Sequence, residues 1–279
     1  MRRARLRGFA AALALVLASV ASASDAAPAD IESRALRAAE SLGLNLYRAD
    51  RTAWLTTDQL MDQGLVGRDG SAKRIPGNPT GWVTAPTATP SIWSVAYLSE
   101  VDGKQVAFAD GTVDFASEPL ASLRENTTPR PLEANEVLQL RLRDDARSRE
   151  WMSCSRAAYN TATLPDGHGG WAVYLMPPHL AKGVYPLGGF HRFSYDAEGR
   201  FLDHYSHTRS CLSHDESNAP EGAISAVMVS HITSALPNEI HVFMNLSYGL
   251  PVFVATQDQR LWKIEGGRIG QVDQDAPAQ

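Results

Sequence analysis

The stretch GGFHRFSYDAEGRFLDHYSHTRSCL, residues 188–212, decides the fold class of this chain. Its runs GFHRFSY and RFLDHYS are rich in aromatic residues, which favour a strand over a helix. The segment DAEG between them is a turn that ends in Gly199. The pattern therefore predicts a β-hairpin whose return strand covers residues 200–210, with Cys211 at or just beyond its end.

Histidines and a cysteine in this stretch raise the alternative of a metal site. On a helix, a single stripe of possible ligands would form, consisting of His204, His207, Cys211 and His214. On a strand, His204 and His207 point to opposite faces of the sheet. Because the composition favours the strand, the stripe of ligands is not expected.

The strand geometry leaves a weaker pair of histidines. In one register of the hairpin, Tyr195 lies opposite Arg200. His191 then faces His204, and a slip of one residue removes that pairing. Two ligands are too few for a structural zinc site, so no metal and no other cofactor is predicted. His191, His204 and His241 are the candidate contacts of a ligand or substrate, since all eight histidines lie in the C-terminal half.

Strand patterns dominate the chain after Cys154. They are AYNTATL, WAVYLM, AISAVMVSHI, EIHVFMNL, PVFVAT and RLWKI, separated by short segments rich in turn residues. The run EIHVFMNL, residues 239–246, alternates as expected for a strand with one covered face. Short links between strands favour antiparallel neighbours.

The preceding part of the chain mixes helices and strands. Apolar spacing predicts a helix from Asp30 to Gly43 and a second helix over residues 50–63. SIWSVAYLSE, VDGK and QVAFAD predict a strand, a turn and a strand, and LEANEVLQLRLRDDARSRE predicts a helix. Two segments are predicted as loops: residues 67–92, apart from a short strand near Trp82, and the polar run SLRENTTPRP.

These patterns predict an α+β fold. An N-terminal α/β part, residues 30–145, is followed by a mainly antiparallel β-sheet part, residues 150–265, and by a flexible tail, residues 266–279. Because no clear linker separates the two parts, a single continuous domain is the alternative.

The first 23 residues have the pattern of a secretory signal peptide. Four arginines between Arg2 and Arg7 precede an apolar run from Phe9 to Ala21, and Ala-Ser-Ala follows as a cleavage site. The apolar run has about 13 residues, whereas a membrane-spanning helix needs roughly 20. We therefore expect a periplasmic or secreted protein with no membrane span after cleavage at residues 1–23.

Cleavage makes the chain more acidic. Removing four arginines from 26 basic residues leaves 22 against 31 acidic ones, a net charge of −9. Such a surface repels phosphate backbones, so nucleic acid is not an expected partner.

The only two cysteines, Cys154 and Cys211, are predicted to form a disulfide, because an even count in an exported chain favours pairing. The bridge would tie the hairpin to the start of the β-rich part. His207 and His214 are then expected at the surface, His214 in the polar loop SHDESNAPEG, and their substitution is expected to change stability little.

Several segments of the chain resemble a group of uncharacterised exported bacterial proteins. The segments are LYRADRTAWLTTD, WAVYLMPP, GGFHRFSYDAEGR, SCL and LPNEIHVFMNLSYGLPVFVAT. The resemblance covers most of the mature chain and concerns strands and turns rather than chemistry. It implies a bacterial periplasmic or secreted location and no known activity.

Common catalytic motifs are missing from the sequence, including H-E-x-x-H, G-x-S-x-G and the nucleotide-binding glycine loops. We therefore expect an exported cell-envelope protein that acts as a non-catalytic binding or interaction module stabilised by one disulfide. Its partner would be an envelope protein or a small ligand. The alternative is a periplasmic metal-dependent hydrolase that uses histidines of the C-terminal half.

Overall fold

The computed structural model describes residues 28–67, 69, 71–179, 181, 183–208, 210–216 and 225–273. These residues form an α+β fold with three helices and 14 strands, as the sequence patterns predict. The predicted signal peptide, residues 1–23, lies outside the described residues. Within the described part, no helix combines the length and hydrophobicity that crossing a bilayer requires.

The N-terminal region contains two helices and one antiparallel sheet. Its elements are α1 (Pro28–Asp62), β1 (Asn78–Pro86), β2 (Ile92–Val101), β3 (Lys104–Asp114), β4 (Leu120–Pro131) and α2 (Ala134–Ser148). The strands pair in sequence order, β1-β2-β3-β4. The predicted hairpin of β2 and β3 is confirmed, and its turn residues Asp102 and Gly103 have φ angles of 50° and 72°. The helix predicted from LEANEVLQLRLRDDARSRE is α2.

The two helices predicted before residue 63 are one continuous helix, α1. Gly43 does not end it, because this glycine lies where α1 crosses a later helix. A Cβ atom at position 43 would lie 2.5 Å from the Cβ of Val242 and 2.6 Å from the carbonyl oxygen of Glu239. The glycine is therefore explained by a close helix contact and not by a helix stop.

Two segments predicted as loops form strands. The polar segment SLRENTTPRP lies within β4, and β1 is longer than the short strand expected near Trp82. β4 is an edge strand whose side chains are mostly exposed, so it lacks the apolar alternation that marks a half-buried strand. Its polar composition fits a sheet edge but resembles that of a loop.

The C-terminal region is mainly sheet. Its elements are β5 (Asn160–Pro165), β6 (Trp171–Met176), β7 (Val184–Pro186), β8 (His191–Tyr195), β9 (Phe201–Ser206), β10 (Ser213–Asp215), β11 (Val227–His231), α3 (Glu239–Tyr248), β12 (Val252–Thr256), β13 (Leu261–Glu265) and β14 (Arg268–Gln271). Two four-stranded sheets, β5-β6-β8-β9 and β11-β12-β13-β14, accompany the two-stranded pair β10-β7. The pair β11 and β12 is parallel, and the other pairs in the described part are antiparallel.

The hairpin of β8 and β9 is confirmed, but its predicted register is wrong. The turn closes between Asp196 and Arg200, whose backbone N–H and carbonyl oxygen are 3.0 Å apart. Tyr195 therefore lies opposite Phe201, and the register shifts next to this pair. As a result, His191 faces Ser206 and not a histidine.

The run EIHVFMNL is the helix α3, so its predicted strand is wrong. The side chain of Asn238 accepts a hydrogen bond from the backbone N–H of Ile240 at 3.1 Å and caps the helix. Gly249, with φ of 68°, ends it. Both faces of α3 are buried, so the alternation of side chains carried no information about its conformation. A helix between β11 and β12 also supplies the crossover that two parallel strands require.

The largest group of buried side chains joins the two predicted regions. Leu46 and Ala49 of α1 and Trp93 of β2 pack with buried residues of β5, β6, α3, β12 and β13. Leu142 and Ala146 of α2 pack against β6 and β8. The chain between residues 145 and 150 therefore does not separate two independent cores.

The disulfide between Cys154 and Cys211 is present, with a sequence separation of 57 residues. The return strand is shorter than the predicted residues 200–210, because β9 ends at Ser206, and Cys211 lies five residues beyond it. Part of the predicted flexible tail is ordered as a strand, since Arg268–Gln271 forms β14 and pairs with β13. Residues 274–279 of that tail lie outside the described residues.

Candidate functional site

A cavity of about 550 Å³ lies between α1, the turn that joins β5 to β6, and the start of α3. One wall consists of apolar side chains of α1, which are Ala35, Ala38, Ala39 and Leu42. The opposite side carries polar groups, among them Asp166, Arg192, His207 and Glu239. The volume and the mixture of an apolar wall with a few polar groups are typical of small-molecule sites.

The floor of the cavity is a compact polar cluster around Glu239, the first residue of α3. The Glu239 Oε1 atom accepts hydrogen bonds from the hydroxyl of Tyr174 at 3.0 Å and from Nη1 of Arg192 at 3.2 Å. The Nε2 atom of His207 lies 3.8 Å from the same oxygen, beyond hydrogen-bond distance. Glu239 and Tyr174 are buried, and Arg192 is partly exposed to the cavity.

The hydrogen bonds around His207 determine which of its ring nitrogens carries the proton. The amide oxygen of Asn238 accepts the helix-capping hydrogen bond, so the amide nitrogen faces His207 and donates to its Nδ1 atom at 3.0 Å. The Nδ1 atom of a neutral imidazole that accepts a hydrogen bond has no proton, and the proton is therefore on Nε2. This N–H is buried and has no hydrogen-bond partner among the described residues.

The charges of the cluster follow from burial. Burial lowers the pKa of His207 to about 4, against the nearby Glu239 carboxylate, which raises it. His207 is therefore neutral near pH 7. Burial raises the pKa of Glu239, but the charge of Arg192 and the hydrogen bonds from its own backbone and from Tyr174 favour the carboxylate, and the pKa lies below its usual range. The floor thus consists of one ion pair and one neutral donor.

A second set of polar side chains extends from the cavity toward β11. The hydroxyl of Tyr205 lies 2.7 Å from Oγ1 of Thr233, which lies 3.4 Å from the imidazole of His231. The rings of His231 and His241 contact edge to face, with centroids 4.7 Å apart. Burial lowers the pKa of both histidines, so this set also favours neutral imidazoles.

Of the three predicted contact histidines, none lines the cavity in the described part of the chain. His191 and His204 do lie together, with Nδ1 and Nε2 3.1 Å apart, because they are diagonal neighbours in the hairpin. The other nitrogen of His191 donates to the carbonyl oxygen of Met152 at 2.8 Å. Burial lowers the pKa of His191. The pair therefore anchors the segment before Cys154 and leaves no open ligand position on His191.

The third predicted histidine, His241, is buried behind the cavity floor. Its Nδ1 atom accepts a hydrogen bond from the backbone N–H of Asn238 at 3.0 Å and completes the cap of α3. His241 therefore supports the site through Asn238, which in turn orients His207. Its role is to position a neighbour of the cavity floor.

The surface positions expected for His207 and His214 are wrong. His207 is 3% exposed and belongs to the cavity floor. His214 lies in β10, opposite Tyr185, and stacks on that ring with the two ring planes 14° apart. Neither histidine is free in solvent, because each packs against tyrosine rings, Tyr174 and Tyr205 in the case of His207.

The sequence patterns did not identify Arg192, His207 and Glu239 as one cluster. Arg192 lies in the middle of a strand, His207 follows another strand, and Glu239 begins a helix that was predicted as a strand. One usable signal was the run Pro-Asn-Glu before an apolar segment, which is typical of a helix start. Recognising that start would have placed Glu239 at the positive end of a helix dipole.

Among the residues that the structure describes, no group of three or more His, Cys, Asp or Glu side chains could hold a metal ion. The cavity floor instead offers N–H donors, a carboxylate and hydroxyl groups. Compared with protein-family models, with curated proteins and with solved structures, the chain matches none of them. The function of the cavity is therefore deduced from its own side chains.

Proposed function

We propose that this chain is an exported, disulfide-stabilised protein of the cell envelope, periplasmic or secreted, that binds a small ligand in the cavity between α1 and α3. The disulfide is compatible with an oxidising compartment. The signal-peptide pattern and the resemblance to exported bacterial proteins support the same location, which stays a prediction. Among the expected partners, the cavity favours a small ligand over an envelope protein.

The observation that carries the proposal is the unpaired donor of His207. His207 lines the cavity of about 550 Å³, and its Nε2–H is buried and lacks a hydrogen-bond partner in the described part of the chain. An unsatisfied buried donor costs about 1–3 kcal/mol. A ligand that accepts this hydrogen bond recovers that free energy on binding.

The same side chains are less suited to acid–base catalysis. A general base or acid works best when its pKa lies near the operating pH. The pKa of His207 is about 4, and the pKa of Glu239 is below its usual range. Both groups therefore hold one protonation state at neutral pH, which suits a binding site.

The proposal is tested by screening small molecules for binding to the wild type and to a variant whose cavity is blocked. Ala38 lines the cavity and its side chain is exposed, so Ala38→Trp fills the space without disturbing the core. Ala116→Trp places the same side chain at an exposed position outside the cavity. We expect ligand-observed NMR with a library of neutral, anionic and cationic fragments to find binders of the wild type and Ala116→Trp that Ala38→Trp does not bind.

Identical binders for all three proteins would contradict the proposal, because binding would then occur elsewhere. An absence of binders that depend on position 38 would do the same. The unfolding temperature of each variant, measured beforehand, shows that a loss of binding does not come from a loss of fold.

A further inference from the structure

We infer that the ligand of this cavity is an uncharged molecule that presents a carbonyl or hydroxyl oxygen to His207 and an apolar flank to α1. This inference rests on the proposed function and specifies the chemistry of the ligand. It follows from the donors on the cavity floor, from their compensated charge and from the apolar wall.

The floor requires a hydrogen-bond acceptor. Besides Nε2 of His207, the Nε atom of Arg192 is buried and has no partner among the described residues. Both atoms carry a proton and cannot accept, since the other nitrogen of His207 is the acceptor. A purely cationic group such as an ammonium supplies no acceptor and would leave both donors unpaired.

The floor also disfavours an anion. Arg192 is the only lysine or arginine among the described residues that line the cavity, and its charge is paired with Glu239. A negatively charged group bound to His207 would lie beside the Glu239 oxygen that is 3.8 Å from Nε2. Asp166 adds a further carboxylate at the cavity. Repulsion between like charges is strong in a partly buried site, so an uncharged acceptor is favoured.

The remaining wall requires apolar surface on the ligand. The residues that line the cavity from α1 and from the segment before α3 are mostly apolar, among them Ala35, Ala38, Leu42, Leu236 and Pro237, with Ser41, Asn45 and Ser234 as polar exceptions. A ligand that is polar on every side would leave this surface without a matching partner. A molecule with one polar edge and one apolar face fits both sides of the cavity.

Three probes of the same shape separate these possibilities: cyclohexanecarboxamide, cyclohexanecarboxylate and cyclohexylmethylammonium. Each is titrated at pH 7.5 into the wild type, Ala38→Trp and His207→Phe, and the ring ¹⁵N signals and backbone amides are followed by NMR. We expect the carboxamide to shift the Nε2 signal of His207 and to bind about tenfold more tightly than either charged probe, as one additional hydrogen bond allows. His207→Phe should remove this preference, and Ala38→Trp should abolish binding.

The outcomes distinguish the two levels of the proposal. Tighter binding of the carboxylate or the ammonium, blocked by Ala38→Trp, overturns the uncharged ligand but leaves the cavity as a binding site. Absence of any shift that depends on position 38 overturns both. Carboxamide binding that does not move the His207 signal overturns the assigned acceptor position, and this result needs only the wild type.

Discussion

Two arginines of this protein pair with carboxylates in different ways. Arg130, at the end of β4, donates to both Asp110 and Glu136, and each carboxylate receives two of its N–H groups. Arg192, on the cavity floor, donates from Nη1 to Glu239, while its Nε atom is buried without a partner among the described residues. The first cluster is closed, whereas the second retains unused donors.

The difference separates a structural cluster from the proposed binding site. The closed cluster connects β3, β4 and α2, and its two carboxylates raise the pKa of Arg130. The open cluster connects the sheet of β8 with the start of α3 and adds the unpaired Nε2–H of His207. Because native proteins pair most buried polar groups, unpaired donors on residues that line a cavity support the proposed ligand site.

The largest expected effect comes from the disulfide, whose loop contains residues of the open cluster and none of the closed one. Cys211→Ser should lower the free energy of unfolding by about 4 kcal/mol, because the bridge closes a loop of 57 residues. His207 lies in that loop, but Arg130 does not. Hydrogen exchange should therefore accelerate in β9 and the segment that follows it while β3 and β4 stay protected. Equal acceleration of exchange in both sheets would contradict this expectation. Urea unfolding of the wild type with and without reductant is the control.

The next effect is a loss of stability in acid caused by His207. Its pKa falls from 6.5 in the unfolded chain to about 4 in the fold, so between these values the unfolded chain binds the additional proton. Stability is therefore full above pH 6.5 and decreases as the pH falls, by about 3 kcal/mol near pH 4. Burial lowers the pKa of His231 and His241 as well, which adds to the effect.

Urea unfolding between pH 7.5 and 5.5 measures the upper part of this dependence, above the range in which Glu239 titrates in the folded or the unfolded chain. His207→Phe has no titrating ring and should show a smaller slope of stability against pH. If the slope of stability against pH is the same in His207→Phe and in the wild type, the acid sensitivity comes from other groups. His207→Phe retains Arg192, Tyr174 and Glu239, so the two proteins differ only in the ring at position 207.

The last prediction compares the two glutamates and contains the smallest expected effect, that of Glu136→Gln. Glu239→Gln removes the charge that pairs with Arg192 in a buried position, and we expect a loss of about 3 kcal/mol. Glu136→Gln leaves Arg130 with Asp110, and we expect a loss of about 1 kcal/mol. Chemical unfolding of the two variants at pH 7.5 measures both values. If Glu136→Gln is the more damaging, the closed cluster is less tolerant than its duplicated contacts indicate.

Local patterns predicted the parts of the fold that depend on local chemistry. The hairpin of β2 and β3, the hairpin of β8 and β9, the helix α2 and the disulfide could all be found from turn residues, aromatic runs and cysteine number. Two elements required information from distant residues. β4 is polar because it is an edge, and α3 lacks a polar, exposed face because other elements surround it.

The candidate site was harder to predict because its members are far apart in the chain. The sequence predicted His191 and His204 as a possible pair of ligand contacts. In the structure they hydrogen-bond to each other, and His191 also bonds to a backbone carbonyl. His207 has the same side chain and differs only in what surrounds it. Its function depends on Glu239 and Asn238, which are more than 30 residues away and reach it only when α3 folds as a helix.

The glycine at position 43 has a consequence for the width of the cavity. α1 carries the apolar wall and α3 begins with Glu239 on the floor, so close contacts between these helices limit the distance from wall to floor. At Gly43 that point has no side chain, and the backbone of Glu239 lies directly against it. A single methyl group there would act as a spacer between the helices. The width of the cavity thus depends on a residue outside its described lining.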